Sequence, residues 1–156
     1  MIAPGDNTMT ALAVRQPYAS LIASGYKSME IRTRNTRIRG TIAIYASRTI
    51  PSKLDLKALD SYTELCKEPL PRGKIICVAD LIDSYPISRP EFYEYEDKHL
   101  VQHSGFFGAR VTYAWILENI IPIDPVEYMP PHGSVVWSRV DKELIYKDDI
   151  AKVFRV

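Results

Sequence analysis

Gly25, Lys27, Glu30 and Arg32 fall together in the chain as GxKxxExR. A lysine and an arginine beside a single carboxylate can do three different things. Lys27 and Arg32 could hold a phosphate or a pyrimidine carbonyl, while Glu30 accepts from an exocyclic amine or keeps Lys27 oriented. Burial could instead drive the pKa values apart and make an acid/base pair. Or Glu30 and Arg32 could simply satisfy each other and a backbone carbonyl, since ion-pair networks also arise for structural reasons alone. A lysine pointing into a wet cleft contributes little packing, so truncating Lys27 is expected to spare the fold.

The charge around this motif is lopsided. Between Ala11 and Lys53 there are eight basic residues (Arg15, Lys27, Arg32, Arg34, Arg37, Arg39, Arg48 and Lys53) and one acid, Glu30. From Ala79 to Leu100, six acids (Asp80, Asp83, Glu91, Glu94, Glu96 and Asp97) face two bases. The formal net charge of the whole chain is only +1, so a locally basic surface is hidden in a neutral total. Thr33, Asn35 and Thr36 interleave with the arginines and can also reach phosphates, and the guanidinium fork suits planar, bidentate recognition. A solvated loop neutralised by the acidic segment is the competing reading.

These residues need elements to hold them. Tyr18, Leu21 and Ile22 fall at helical spacing after Gln16-Pro17, and Gly25 stands where a left-handed cap belongs, which predicts a two-turn helix ending just before Lys27. Met29 and Ile31 alternate with Glu30 and Arg32, which predicts a strand with both charges on its polar face. Further strands are expected at Ala11 to Val14, Gly40 to Ser47, Lys74 to Ile82, Tyr113 to Ile123 and Ser134 to Ser138. Asp55 to Cys66 reads as a helix, and Ser88 to Glu91 as a capping box with Pro90 in the first turn of another. Many short strands with few helices point to an α+β fold, a small open β-barrel of five or six strands with short helices at its rim, and not to a doubly wound sheet.

The chain has 156 residues, enough for one domain. The expected organisation is a flexible segment over 1–10, the domain over 11–138, and an extension over 139–156 packed on it. MIAPGDNTMT lacks a basic and apolar leader pattern, and the sequence contains no apolar run near the ~20 residues of a membrane span, so a cytoplasmic protein is expected. Cys66 and Cys77 form no CxxC pair, which argues for reduced thiols and against a cysteine zinc site. His99 and His103 stand four apart near Glu96 and Asp97, a conceivable metal half-site without a third histidine nearby; no metal and no cofactor are expected. GFFGAR (Gly105 to Arg110) lacks the lysine of a phosphate loop. Tyr18, Tyr26 and Tyr45 could stack on bases; core packing is the expected fate of Tyr18 and Tyr45, and exposure that of Tyr26. Trp115 and Trp137 read as core anchors, with Trp137 a candidate for a cleft wall near His132 and Gly133.

The motif, the preceding LAVRQPYASLIASG, the Arg39-Gly40 pair opening a strand, and the later LPRGKIICVADLI, FFGARVTYAWILENIIPI and HGSVVW together resemble the ASCH domain of the PUA-like superfamily, over roughly Leu12 to Trp137. The resemblance implies an open β-barrel with the motif's charged residues facing a cleft, and nucleic-acid binding, RNA first of all, or binding of a nucleotide. The implied ligand-binding set is Arg15, Tyr26, Lys27, Glu30, Arg32, Arg34, Arg37 and Arg39. Some ASCH members are amidohydrolases acting on N(4)-acetylcytidine with a lysine, a threonine and a carboxylate. In that alternative Lys27, Glu30 and Asp80 would be the catalytic residues, acting on a modified nucleoside or on RNA, although Glu30 stands where those enzymes carry the threonine nucleophile. A third alternative is a protein-interaction adaptor in transcription or translation, using the acidic, aromatic segment Glu91 to Asp97.

Overall fold

The computed structural model describes residues 7–102 and 111–146. Six strands form one mixed sheet: β1 (Thr8–Val14), β2 (Met29–Arg32), β3 (Gly40–Ala46), β4 (Lys74–Ile87), β5 (Thr112–Glu127) and β6 (Trp137–Asp141). Their order is β2-β5-β4-β3-β1-β6, with β1 and β3 parallel and every other pair antiparallel. The long strands β4 and β5 form the spine, and the register breaks along them, such as the one between Val78 and Asp80, are bulges that add twist and bend the sheet. The bend carries the two ends of the sheet towards each other. Arg32 of β2 reaches Ala13 of β1, and Trp115 of β5 stacks on Trp137 of β6, four strands away. The result is the expected α+β architecture with a six-stranded sheet that is not closed.

Burial on both faces explains the apolar runs. In β3, Ile42, Ile44 and Ala46 face the main core with Leu12, Leu21, Ile22 and Leu117, while Ala43 and Tyr45 face a second core with Met9, Ile75, Val78 and Val140. β1 begins at Thr8 and buries Met9, inside the segment expected to be flexible, and β6 lies a few residues beyond its expected place. Its pairing with β1 and the burial of Val140 and Ile145 tie residues after 138 to the domain.

β4 and β5 both outrun their expected ends, through Pro86 and Pro125, and Pro122 also lies within β5. A proline breaks a strand only where its missing N–H is needed by a neighbour. β3 pairs with β4 only as far as Leu81, and β2 with β5 only as far as Ile116, so each proline has a side without a strand partner among the described residues.

The helices are short: α1 (Tyr18–Ala23), α2 (Lys53–Leu56), α3 (Arg89–Glu94) and α4 (Glu96–His99). The Ser88–Glu91 capping box forms as expected. The helix expected over Asp55 to Cys66 does not. α2 passes into a 3-10 turn at Lys57–Leu59, and another covers Thr63–Cys66. Asp55 is buried in the first turn of α2, where its carboxylate accepts from the Tyr18 hydroxyl at 2.7 Å and from Ser52 Oγ at 2.9 Å. Of the apolar side of the expected helix, Leu56, Leu59 and Leu65, the structure buries Leu59 in the core, packs Leu65 against it and leaves Leu56 exposed. No helix among the described residues is long and apolar enough to cross a membrane.

Candidate functional site

The open seam between β1 and β2 holds a cavity of about 310 Å3, lined among others by Arg15, Tyr18, Glu30, Arg32 and Val101. Tyr18 opens α1 at the cavity wall, and the far end of that helix directs the chain to Lys27. Gly25 takes φ +85°, its N–H bonds to the Ile22 carbonyl at 2.9 Å, and the Tyr26 N–H bonds to the Leu21 carbonyl at 3.0 Å. This is a Schellman cap, available here because glycine meets no Cβ penalty at positive φ. The Lys27 N–H returns to the same Leu21 carbonyl at 3.0 Å, which turns the chain inward.

Lys27 is therefore not in a wet cleft. It is 0% exposed and does not line the cavity. Its Nζ donates to the carbonyls of Met29, at 2.8 Å, and His99, and lies 3.5 Å from Glu30 Oε1 and 5.0 Å from the centre of the Tyr18 ring. Burial drives the ammonium down to about 8, although Glu30 pulls the other way. Three donors engaged by three oxygens make Lys27 a strut behind Glu30.

Glu30 and Arg32 share a face of β2, as the alternation predicted, but that face is largely dry. Arg32 grips Glu30 Oε2 through Nη2 at 2.7 Å and Nε at 3.1 Å, and Nη2 also reaches the Ala13 carbonyl at 2.8 Å. Burial alone would push the Glu30 carboxyl up, but Arg32 and then Lys27 outweigh it and hold the group ionised, below its usual range. Arg32 also lies over the Trp115 ring at 5.4 Å. No protein group among the described residues takes its Nη1 donors. Arg15, half exposed, spends Nε on Asp55 Oδ2 at 3.2 Å and keeps both Nη groups without a protein partner among the described residues. The cavity is thus flanked by two arginines with open donors above a carboxylate that stays charged.

The other expected residues scatter. Arg34 and Arg37 are exposed on the loop after β2, and no carboxylate among the described residues pairs with either. Arg39 turns back on its own loop, donating to the carbonyls of Thr36 and Ile38, with Asp83 at 3.8 Å. Tyr26 is 40% exposed, but its hydroxyl donates to Glu64 and its ring packs on Tyr62, away from the cavity lining. Asp80 lies outside that lining too; it accepts from the Thr41 hydroxyl at 2.7 Å and from the Asn119 amide at 2.9 Å, which hold its carboxyl below the usual range. Tyr18 and Tyr45 are buried, as expected.

Sequence reasoning did not find three contributors. Asp55 anchors Arg15 and Tyr18 from a distant turn, and the Ala13 carbonyl fixes Arg32; only the Ser52-to-Asp55 spacing, a helix-capping pattern, gave any hint of the former. The third is His99, whose carbonyl holds Lys27. Its ring is buried: Nδ1 accepts from the Val101 N–H at 2.9 Å, so Nε2 carries the proton and donates to the Phe92 carbonyl at 2.6 Å. With burial as the main cause, its pKa falls to about 4. A neutral ring with both nitrogens engaged leaves no lone pair for a metal. His103 and GFFGAR lie outside the described residues, and among those described no group of His, Cys, Asp and Glu could hold a metal ion.

Across residues 12–130 the sequence matches the ASCH domain family. The chain belongs to that family. Three crystal structures of the ASCH protein from Zymomonas mobilis share the fold. The unmutated protein aligns at TM-score 0.60 with 17% identity over 92% of this chain and 94% of that one. A serine-to-alanine variant aligns at TM-score 0.58 with 18% identity over 96% and 99%, and a tyrosine-to-phenylalanine variant at 0.59 with 17% identity over 92% and 96%. A comparison with curated proteins finds no match. In this ASCH domain the GxKxxExR segment supplies a buried lysine, a locked carboxylate and one arginine that reaches the cleft.

Proposed function

We propose that this ASCH domain binds nucleic acid, RNA first of all, or a nucleotide in the cleft between β1 and β2. The observation that carries this reading is the pair Arg15 and Arg32, which flank a cavity of about 310 Å3 with guanidinium donors that no protein group among the described residues takes. Arg15 meets a phosphate, and Arg32 Nη1 donates to a phosphate or base carbonyl oxygen. Glu30, which lines the cavity, accepts from an exocyclic amine through a carboxylate that Arg32 and Lys27 also engage. Arg34 and Arg37 extend the positive track along the loop. Lys27 acts through Glu30, keeping the carboxylate charged and in place.

The test is fluorescence anisotropy of a labelled short single-stranded RNA at rising salt. Affinity is expected to fall steeply with salt, because each neutralised phosphate releases condensed counterions, and Arg15→Gln is expected to weaken binding and flatten that slope. Absence of binding at low salt, or binding indifferent to salt and to Arg15→Gln, overturns the reading.

A second reading, hydrolysis of a modified nucleoside such as N(4)-acetylcytidine or of RNA, draws on the Lys27 ammonium pushed down to about 8 beside Glu30. With no hydroxyl nucleophile at position 30, water would have to attack the acyl carbon, activated by Glu30, to release acetate and cytidine. A carboxylate held below its usual range is a weak base, so little turnover is expected when N(4)-acetylcytidine is followed by chromatography. Repeated turnovers abolished by Glu30→Gln would promote the hydrolase above the binder.

A further inference from the structure

Next to the cavity, a second hollow of about 430 Å3 is lined by Arg32, Thr33, Arg34, Asn35 and the Trp115/Trp137 pair. Trp115 is buried, and its indole N–H donates to the Arg34 carbonyl at 3.0 Å. Trp137, half-buried at the start of β6, lies nearly parallel to it, with interplanar angle 10° and ring centres 5.6 Å apart. Arg32 packs over Trp115 from the neighbouring strand β2. Both rings are thus fixed before any ligand arrives, and a pre-set aromatic surface takes a flat base with little ordering cost.

The charge on this wall is complementary to a nucleic-acid strand. Arg34 is exposed with no carboxylate partner among the described residues. Asn35 accepts through Oδ1 from the Thr36 N–H and the Ser84 hydroxyl, which leaves its amide hydrogens without a protein acceptor among those residues. Arg32 lines both hollows and keeps Nη1 open.

From this arrangement, and resting on the reading of the cleft as a nucleic-acid site, we propose that the ASCH domain takes two consecutive nucleotides of a single strand. One nucleoside enters the cavity over Glu30, Arg32 holds the phosphate that joins the two, and the neighbouring base stacks on Trp137 with Arg34 on its phosphate. The ligand class is then a single-stranded dinucleotide unit or longer strand, and a free nucleoside fills only half the site.

The chain has only two tryptophans, and both stand here, so tryptophan fluorescence, excited clear of the ten tyrosines, reports on this hollow. Uridine 5′-monophosphate, pUpU and the deoxy counterpart of each are titrated into the intact protein, with Trp137→Leu and Trp137→Phe melted by circular dichroism to verify folding. The dinucleotide is expected to bind about tenfold more tightly than the mononucleotide and to quench the fluorescence. Trp137→Leu should erase that advantage, and Trp137→Phe, which keeps a ring, should retain most of it. An advantage in either the ribose or the deoxyribose series supports the two-nucleotide site and tells which pentose it takes. Equal binding of mono- and dinucleotide in both series overturns this proposal and leaves the cleft reading standing; binding of neither removes both.

Discussion

Two polar clusters in this domain are built around a carboxylate, and they live in opposite surroundings. Glu30 is buried, with Arg32 on one oxygen and Lys27 near the other. Asp80 stands near the surface between Thr41 and Asn119. Around Glu30 every partner is obligatory, because a buried charge that loses its partner keeps the whole cost of desolvation. Around Asp80 water can take the place of either partner, so the same kind of hydrogen bonding holds little. A carboxylate in a strand pattern says nothing by itself about which of these it will be; the neighbours above and below the sheet decide.

The sharpest way to break this contrast is Lys27→Met. It leaves the Met29 and His99 carbonyls short of a donor and Glu30 with one cation, and is expected to cost about 3 kcal/mol or more in urea unfolding. The expectation that the lysine can be removed harmlessly is thereby reversed, and a variant as stable as the parent would restore it.

Next in size is a pH effect from His99, the residue whose carbonyl holds Lys27. Its folded pKa of about 4 lies below the ordinary 6.5, so as the pH falls the unfolded chain takes up the proton first. The stability it contributes is complete above about pH 6.5 and is lost progressively down to about pH 4, by roughly 3 kcal/mol. Urea titrations at pH 7, 5.5 and 4.5 measure this, and His99→Gln should flatten the dependence; an unchanged slope in that variant would assign it to other groups.

Gly25→Ala is smaller. The site has room for a methyl group, with nothing within 4 Å, but φ +85° strains any residue with a Cβ. The expected loss is about 1 kcal/mol, read from the shift in Tm. Smallest of all is Asp80→Asn, which should leave the melting temperature unchanged within error. A loss comparable to that of Lys27→Met would place both clusters in one class and end the comparison.

What could be read along the chain was local. The alternation through Met29 to Arg32, the glycine after α1 and the Ser88–Glu91 box each need only residues a few positions apart, and each formed as expected. What could not be read was contact across the seam. Nothing near Lys27 reveals that the His99 carbonyl, 72 residues away, will close over its ammonium. Nothing near Asp55 reveals that Tyr18 will bury it. The run of β4 and β5 past their expected ends was hidden for the same reason: what a proline costs a strand depends on whether another strand lies alongside, and that is a property of the sheet.

The run of β5 past Ile116 has one more consequence. From Glu118 to Glu127 its outer edge faces no strand among the described residues, and it carries Ile120, Ile121 and Ile123, the material from which chains template one another into aggregates. Pro122 and Pro125 remove two backbone donors from that stretch, and Glu118, Asp124 and Glu127 repel an identical strand laid in register beside it. The spine of this sheet can therefore stay long on one side without recruiting a second copy to cover it.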